Sequence, residues 1–204
     1  MIQGFLQGLT VGFSIAAPVG PIGLLCIQRT LAGGRAAGLV SGLGAATADA
    51  FYGAVAGFGV TFVSAFLVAQ QAWIRLLGGL FLIFLGARVL RSKPRGSSAN
   101  PTNRRLVTDY ASTLVLTLSN PLTIISFAAV FVGLGLVGGG RDYLAAGILV
   151  AGVFSGSSLW WVILSASVGA FKQRFGTRAM SWVNRLSGAV IGIFGLLALV
   201  SLLV

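Results

Sequence analysis

Residues Gln3–Gln28 read QGFLQGLTVGFSIAAPVGPIGLLCIQ, an apolar run with two prolines, Pro18 and Pro21, inside it. A bilayer span needs about 20 mainly apolar residues, and only helices and closed barrels satisfy their backbone in hydrocarbon. A barrel strand would alternate polar and apolar residues, which this run does not do. It therefore reads as a membrane helix interrupted at its prolines. It is too long and glycine-rich for a cleaved leader, and no basic residue precedes it.

Five further runs have the same character: Ala36–Phe66, Ala72–Leu90, Asp109–Leu136, Tyr143–Phe171 and Trp182–Leu203. They nearly exhaust the 204 residues, which are 56% hydrophobic and 8% charged, with a mean hydropathy of +0.97. Soluble domains carry roughly 25% charged residues, so this chain cannot cover a water-facing surface. The expected fold is all-α and integral to the membrane, six transmembrane helices in a single domain over 1–204.

The charges set an orientation. Arg29, Arg35, Arg88, Arg91, Lys93, Arg95, Arg104, Arg105, Lys172, Arg174, Arg178 and Arg185 fall at alternate connections or the adjoining helix ends. The opposite side has Arg75 and Arg141. Basic residues stay in the cytoplasm, so both termini are expected outside. The same rule accounts for the net charge of +11 without a nucleic-acid partner. The longest connection, RSKPRGSSANPTNRR over Arg91–Arg105, reads as a flexible cytoplasmic linker. With residues 91–108 as linker, the chain divides into a three-helix repeat A (1–90) and a three-helix repeat B (109–204). Three helices per half place the second half upside down relative to the first, as an inverted repeat requires.

Each half opens on a helix with a proline break: Ala17-Pro18-Val19-Gly20-Pro21 in the first, Ser119-Asn120-Pro121 in the second. A proline removes the helical bond to the carbonyl four residues back, which frees those of Ser14, Ala17 and Thr117. In hydrocarbon a bare carbonyl costs several kcal/mol, so each must meet protein, water or solute. Gly20 and Gly23 allow unwinding and close approach, and resumed helix ends near Ile22 and Leu122 would favour a carboxylate. A lone proline is most simply a kink. Matched breaks in two halves point to a transporter's binding site. By helical rise, Pro18 lies about 22 Å from Gln3 and Asn120 about 17 Å from Asp109, both near the midplane of a core about 30 Å thick.

Asp49 is the most informative side chain. The chain has three acids, and Asp109 and Asp142 fall at membrane edges, where each would cap a helix or meet a loop arginine. Asp49 lies about 20 Å into the second helix. An ionised Asp there costs about 3 kcal/mol or more, which marks it as functional by default. It could pair with a substrate ammonium or carry a proton; a structural hydrogen bond, for example to Thr47, is the plainer alternative. Gly38, Gly42, Ala45, Asp49, Gly53 and Ala56 share a helical face, so small residues turn this face and its acid toward the bundle interior. Gly152, Ser155 and Gly156, and Gly188, Gly192 and Gly195, read as tight packing. Trp160 and Trp161 lie too deep for the interfacial belt that suits Trp73 and Trp182; one of the deep pair, Trp160 among the candidates, could line a cavity. Ser14, Gln28 and Arg29 are further candidates, the last two at the cytoplasmic mouth, where Arg29 could attract a carboxylate or merely set topology.

Cys26 is the one cysteine and there is no histidine, which leaves no disulfide framework, Cys/His metal site or acid–base pair for an enzyme. No cofactor is expected. One buried acid makes a poor transition-metal site, so an ion or metal exporter ranks below a solute transporter. A non-transport assembly subunit would leave Asp49 and the paired breaks without a purpose. Glycine faces often mediate pairing, which makes a homodimer conceivable, but no residue selects its interface.

Gly12-Phe13-Ser14-Ile15-Ala16-Ala17-Pro18-Val19-Gly20-Pro21, followed by Arg29 and a Gly-rich lead to Asp49, resembles the amino-acid exporters of the lysine exporter (LysE/RhtB) superfamily. So does Leu118-Ser119-Asn120-Pro121, and the similarity runs over essentially the whole chain. The resemblance implies a multi-pass protein of the bacterial plasma membrane. It would export an amino acid or related small zwitterion, driven by protons or the membrane potential. The matching positions are Pro18, Gly20, Pro21, Asp49, Asn120 and Pro121. Lysine exporters typically carry a further acid soon after the Asn-Pro, whereas Leu122-Thr123-Ile124-Ile125-Ser126-Phe127 has none. A site with one acid suits a zwitterion with a neutral side chain.

Overall fold

A computed structural model describes residues 1–18, 20–58, 70–91, 103–120, 123, 126–127, 143–171, 177–200 and 202. Seven helices are described: α1 (Ile2–Ala16), α2 (Pro21–Gly33), α3 (Arg35–Gly57), α4 (Gln71–Arg91), α5 (Asn103–Leu118), α6 (Tyr143–Phe171) and α7 (Thr177–Val200). There is no strand among the described residues. Helices α3 and α6 are each long and apolar enough to cross a membrane, and α1 and α2 together meet the same measure. Large apolar side chains such as Leu77, Phe84, Leu144, Leu186 and Leu197 stand exposed, as do Trp73 and Trp182. This surface suits lipid rather than water.

The first expected span is two helices bent by 79°. The last helical bond of α1 runs from the N–H of Ala17 to the carbonyl of Phe13 at 2.9 Å, and Pro18 has no N–H with which to make the next. The chain then tightens, Gly20 N–H donating to the Pro18 carbonyl at 2.9 Å. Pro21 occupies the first position of α2, where a missing N–H costs nothing and the fixed φ is already helical. The two prolines thus act differently: Pro18 ends one helix and Pro21 starts another.

The Arg29–Arg35 connection expected from charge is a single residue. Helix α2 runs on to Gly33 and α3 starts at Arg35, with Gly34 at φ +88° between them, a conformation L side chains rarely adopt. Gly34 closes α2 through its N–H to Thr30 (2.9 Å) and opens α3 by accepting from Ala37 and Gly38 (3.1 and 3.3 Å). Helix α5 begins at Asn103 rather than Asp109, so the end of the expected linker is helical, and α7 begins five residues before Trp182. The ends of the expected second and fourth spans, residues 59–66 and most of 121–136, lie outside the described residues.

Packing follows the small residues. Helix α1 lies against α6, α3 against both α6 and α5, and α4 against α7, while α2 touches α3, α6 and α7. At the α1–α6 crossing, a Cβ on Gly8 or Gly12 would run into the carbonyls of Leu149 or Val153. One on Gly152 or Gly156 would meet those of Phe5 and Leu9. Gly79 and Gly86 meet Gly195 and Gly188 between α4 and α7. On α3, Gly38 abuts Thr30 and Ser165, Gly42 lies under Trp161 and Gly53 under Val153, so the small face turns inward. Two apolar clusters form, one around Leu25, Cys26, Leu116, Trp161 and Ile191, the other around Val11, Tyr52, Phe127 and Val153.

Close backbone approach makes a clear expectation. Gly12→Ala should cost about 1–3 kcal/mol through overpacking, whereas Gly147→Ala on α6, with nothing within 4 Å, should be neutral. Thermal unfolding of detergent-purified variants checks this; equal melting temperatures would refute the crossing.

Candidate functional site

A cavity of about 320 Å³ opens where the helix breaks meet. Pro18, Gly20, Pro21, Ile22 and Gly23 supply one wall, Ala45 and Asp49 of α3 another, and Thr117 and Asn120 a third. Thr123 and Ser126 extend the polar side, and Ile15, Trp161 and Phe194 the apolar one. The site thus has a polar strip from the second break, an apolar aromatic side and a single acid. Among the described residues, no group of three or more His, Cys, Asp or Glu could hold a metal ion.

Asp49 is 3% exposed. Its Oδ2 accepts from the Ser157 hydroxyl at 2.7 Å, and the Ser157 oxygen in turn accepts from Trp161 Nε1–H at 3.1 Å. Thr47, the plainer partner considered above, is engaged elsewhere: it donates to the Leu43 carbonyl and accepts from Tyr110, each at 2.8 Å. One turn beyond Asp49, Tyr52 donates to the carbonyl of Leu118 at 2.5 Å, at the end of α5. Asn120 N–H donates to the Thr117 carbonyl (3.2 Å), and the Asn120 carbonyl accepts from Thr123 (3.1 Å). The carbonyls freed by the second break are thereby drawn into a tight turn and a cross-helix bond.

Five sequence candidates, Pro18, Gly20, Pro21, Asp49 and Asn120, line this one cavity. Pro121 lies outside the described residues. The other candidates lie elsewhere. Ser14 is exposed on α1 and Gln28 half-buried on α2. Trp160 meets Phe13 edge-to-face at 5.5 Å; of the deep pair, Trp161 lines the cavity. Ser157 and Phe194 were not singled out from sequence. A signal existed for Ser157, which shares the helical face of Trp161 one turn away; Phe194 is one of many apolar residues on its helix, and nothing distinguished it.

Arg29 does not stand open at a mouth. It is 8% exposed. Its Nη1 donates to Ser41 Oγ (3.0 Å), the Asp109 carbonyl (2.7 Å) and Thr113 Oγ1 (2.6 Å), and its Nη2 to Ser112 Oγ (2.8 Å). Nε pairs with Asp109 Oδ1 at 3.3 Å. The expected meeting of Asp109 with an arginine occurs, but inside the bundle, tying α2 to α3 and α5. With its donors so engaged, Arg29 offers a solute carboxylate nothing in this conformation.

An apolar helical bundle whose first helix breaks around a small, acid-bearing cavity has the build of a membrane translocator. The chain belongs to the LysE type translocator family, whose model matches residues 13–202. It is 31% identical over 196 residues to the uncharacterized membrane protein YahN of Escherichia coli (strain K12), covering 92% of this chain and 86% of that one. Similarity to YcgF of Bacillus subtilis (strain 168), whose name assigns it provisionally to amino acid efflux, is 27% over 94% and 92% of the two chains. The threonine efflux protein of Salmonella typhi is 28% identical over 66% of this chain and 69% of its own. No solved structure matches the chain. The family resemblance read from the broken first helix, Asp49 and the Asn-Pro is thereby shown.

Removing one partner of a buried ion pair typically costs 3–5 kcal/mol, whereas replacing both by apolar groups costs far less. Arg29→Leu should therefore lower the unfolding temperature sharply, and adding Asp109→Leu should restore much of the loss. A double variant no better than the single one would show that the pair does not act as a unit.

Proposed function

We propose that this protein is a secondary transporter that exports an amino acid or a related small zwitterion with a neutral side chain. The observation that carries the reading is that Asp49 and the breaks of two separate helices share one small cavity. A volume of about 320 Å³ is at the low end of ligand sites, which run from about 300 to 1,000 Å³. Asp49 can receive the ammonium group. Ile22 and Gly23, in the first turn of α2, line the same space, and the amide end of a helix suits a carboxylate. Thr117, Asn120, Thr123 and Ser126 offer further polar contacts. With a single acid in the site, a second cationic group on the solute would have no counter-ion, which favours neutral side chains over lysine. The names of YcgF and the Salmonella relative point to the same solute class.

The packing supports two inverted three-helix repeats within six spans. Exchanging α1 with α5, α3 with α6 and α4 with α7 turns the α1–α6 contact into the α5–α3 contact and leaves α3–α6 and α4–α7 unchanged. In this reading the basic linker is cytoplasmic in the bacterial inner membrane and both termini are outside. Export then alternates access to the midplane cavity between the two faces. Asp49 couples the cycle to protons by exchanging a proton for the solute ammonium, or to the membrane potential through its charge.

Efflux of preloaded, labelled amino acids tests this in cells carrying the wild type or Asp49→Asn at matched membrane levels. The wild type should speed loss of one or more neutral amino acids, and the substitution should cut that rate about tenfold or more, the equivalent of about 1.4 kcal/mol. Lysine efflux exceeding that of threonine or leucine would contradict the solute class, and no difference for any amino acid would contradict the exporter.

A further inference from the structure

Hydroxyl side chains on these helices mostly bond back along their own helix. Thr10, Thr30, Ser41, Thr47, Thr113 and Thr117 each donate to the carbonyl four residues earlier, at 2.7 to 2.9 Å, the usual resting place for such groups. Ser157 departs from the pattern. Its hydrogen goes across to Asp49 on α3, and its oxygen receives the Trp161 N–H. Ser157 is wholly buried, and Trp161, 3% exposed, lies on Gly42 and lines the cavity.

We propose that Ser157 is a positioning residue that ties Trp161, the aromatic wall of the cavity, to the state of Asp49. The inference rests on Asp49 being the loading group of the exporter proposed above. An anionic Asp49 draws the Ser157 hydrogen, and the polarised hydroxyl oxygen then holds the Trp161 N–H more strongly. Bonds aligned in one direction reinforce each other in a low dielectric. When a proton or an ammonium group neutralises Asp49, the demand on Ser157 falls. Its hydrogen can then turn to the carbonyl of Val153, four residues back, as the other hydroxyls do. Trp161 loses the charge-assisted part of its hold and can move with the solute. The cavity wall thus responds to loading without touching the acid.

Among the described residues, the other titratable side chains on the elements around Asp49 are engaged or buried. Tyr52 donates to Leu118, Tyr110 to Thr47, and Arg29 is paired with Asp109. Cys26 of α2 is buried in the apolar cluster. Helix α1 carries no ionisable side chain, and α6 has Tyr143 at its first residue.

Fluorescence of a purified chain with Trp161 as its one tryptophan (Trp73→Phe, Trp160→Phe, Trp182→Phe) tests this, with protons alone as the probe. Acidification should shift the emission maximum. The shift should be lost with Ser157→Ala, retained with Ser157→Thr, and replaced with Asp49→Asn by a constant emission like that of the acidified parent. Should Ser157→Ala fail to give a monodisperse protein, Ser157→Cys, a weaker donor and acceptor, should reduce the shift. No shift in the parent, an undiminished one in Ser157→Ala or Ser157→Cys, or its loss in Ser157→Thr would overturn the proposal. No solute is present, so the result is readable whether or not amino-acid efflux is found.

Discussion

Inside hydrocarbon every backbone polar group must find a partner in the protein, and two prolines three residues apart each remove a helical hydrogen bond and crowd the carbonyl four residues back. The rest of this structure follows from that constraint. Helix α1 stops at Ala16, α2 restarts at Pro21, and the 79° bend between them leaves non-helical backbone at the middle of the bundle. Such backbone is tolerated where it is buried in protein or lines a cavity. Here Pro18, Gly20 and Pro21 line one. The bend also sends α2 across to meet α3, α6 and α7, which a straight first helix on the outside of α6 could not do.

The small residues are the complement of this arrangement. Where α1 crosses α6, glycines from both helices sit against carbonyls of the other, so dispersion contacts and close approach replace the hydrophobic drive that lipid cannot supply. The same device on α3 brings Trp161 onto Gly42 and sets Asp49 within reach of Ser157. The packing is therefore part of the site, because a larger side chain on that face would push away the helix that supplies Ser157, the cross-helix partner of the acid's Oδ2.

Much of this was legible in the sequence. Apolar runs gave helices, the proline pairs gave the breaks, and an acid amid Gly and Ala gave the inward face of α3. Those signals are local and strong, since each rests on a backbone or solvation cost of several kcal/mol. Less legible was anything decided by which helix lies opposite. Arg29 read as a loop charge because arginine ordinarily avoids the bilayer; it is helical and buried because Asp109, Ser112 and Thr113 arrive from a segment eighty residues away. Trp160 and Trp161 have equal depth, and their roles separate only through neighbours: Phe13 for one, Ser157 and Gly42 for the other. Gly34 looked like part of a basic loop because charge dominates that stretch, yet a single residue of positive φ makes the whole turn.

The two described acids show how one residue type is given two roles. Asp109 meets a cation directly through its Oδ1, and together they lock α2 to α5, while its Oδ2 is buried without a hydrogen-bond partner among the described residues. Asp49 meets no cation among the described residues. Its bonded neighbour is a neutral hydroxyl, which softens the cost of a carboxylate without cancelling its charge. A buried acid held this way is a vacancy in the electrostatic sense: it gains most from a positive group that can come and go. The asymmetry is one of charge: Asp109 is neutralised by a fixed cation, whereas Asp49 is held by a neutral hydroxyl, and this is the contrast on which the proposed role of Asp49 rests.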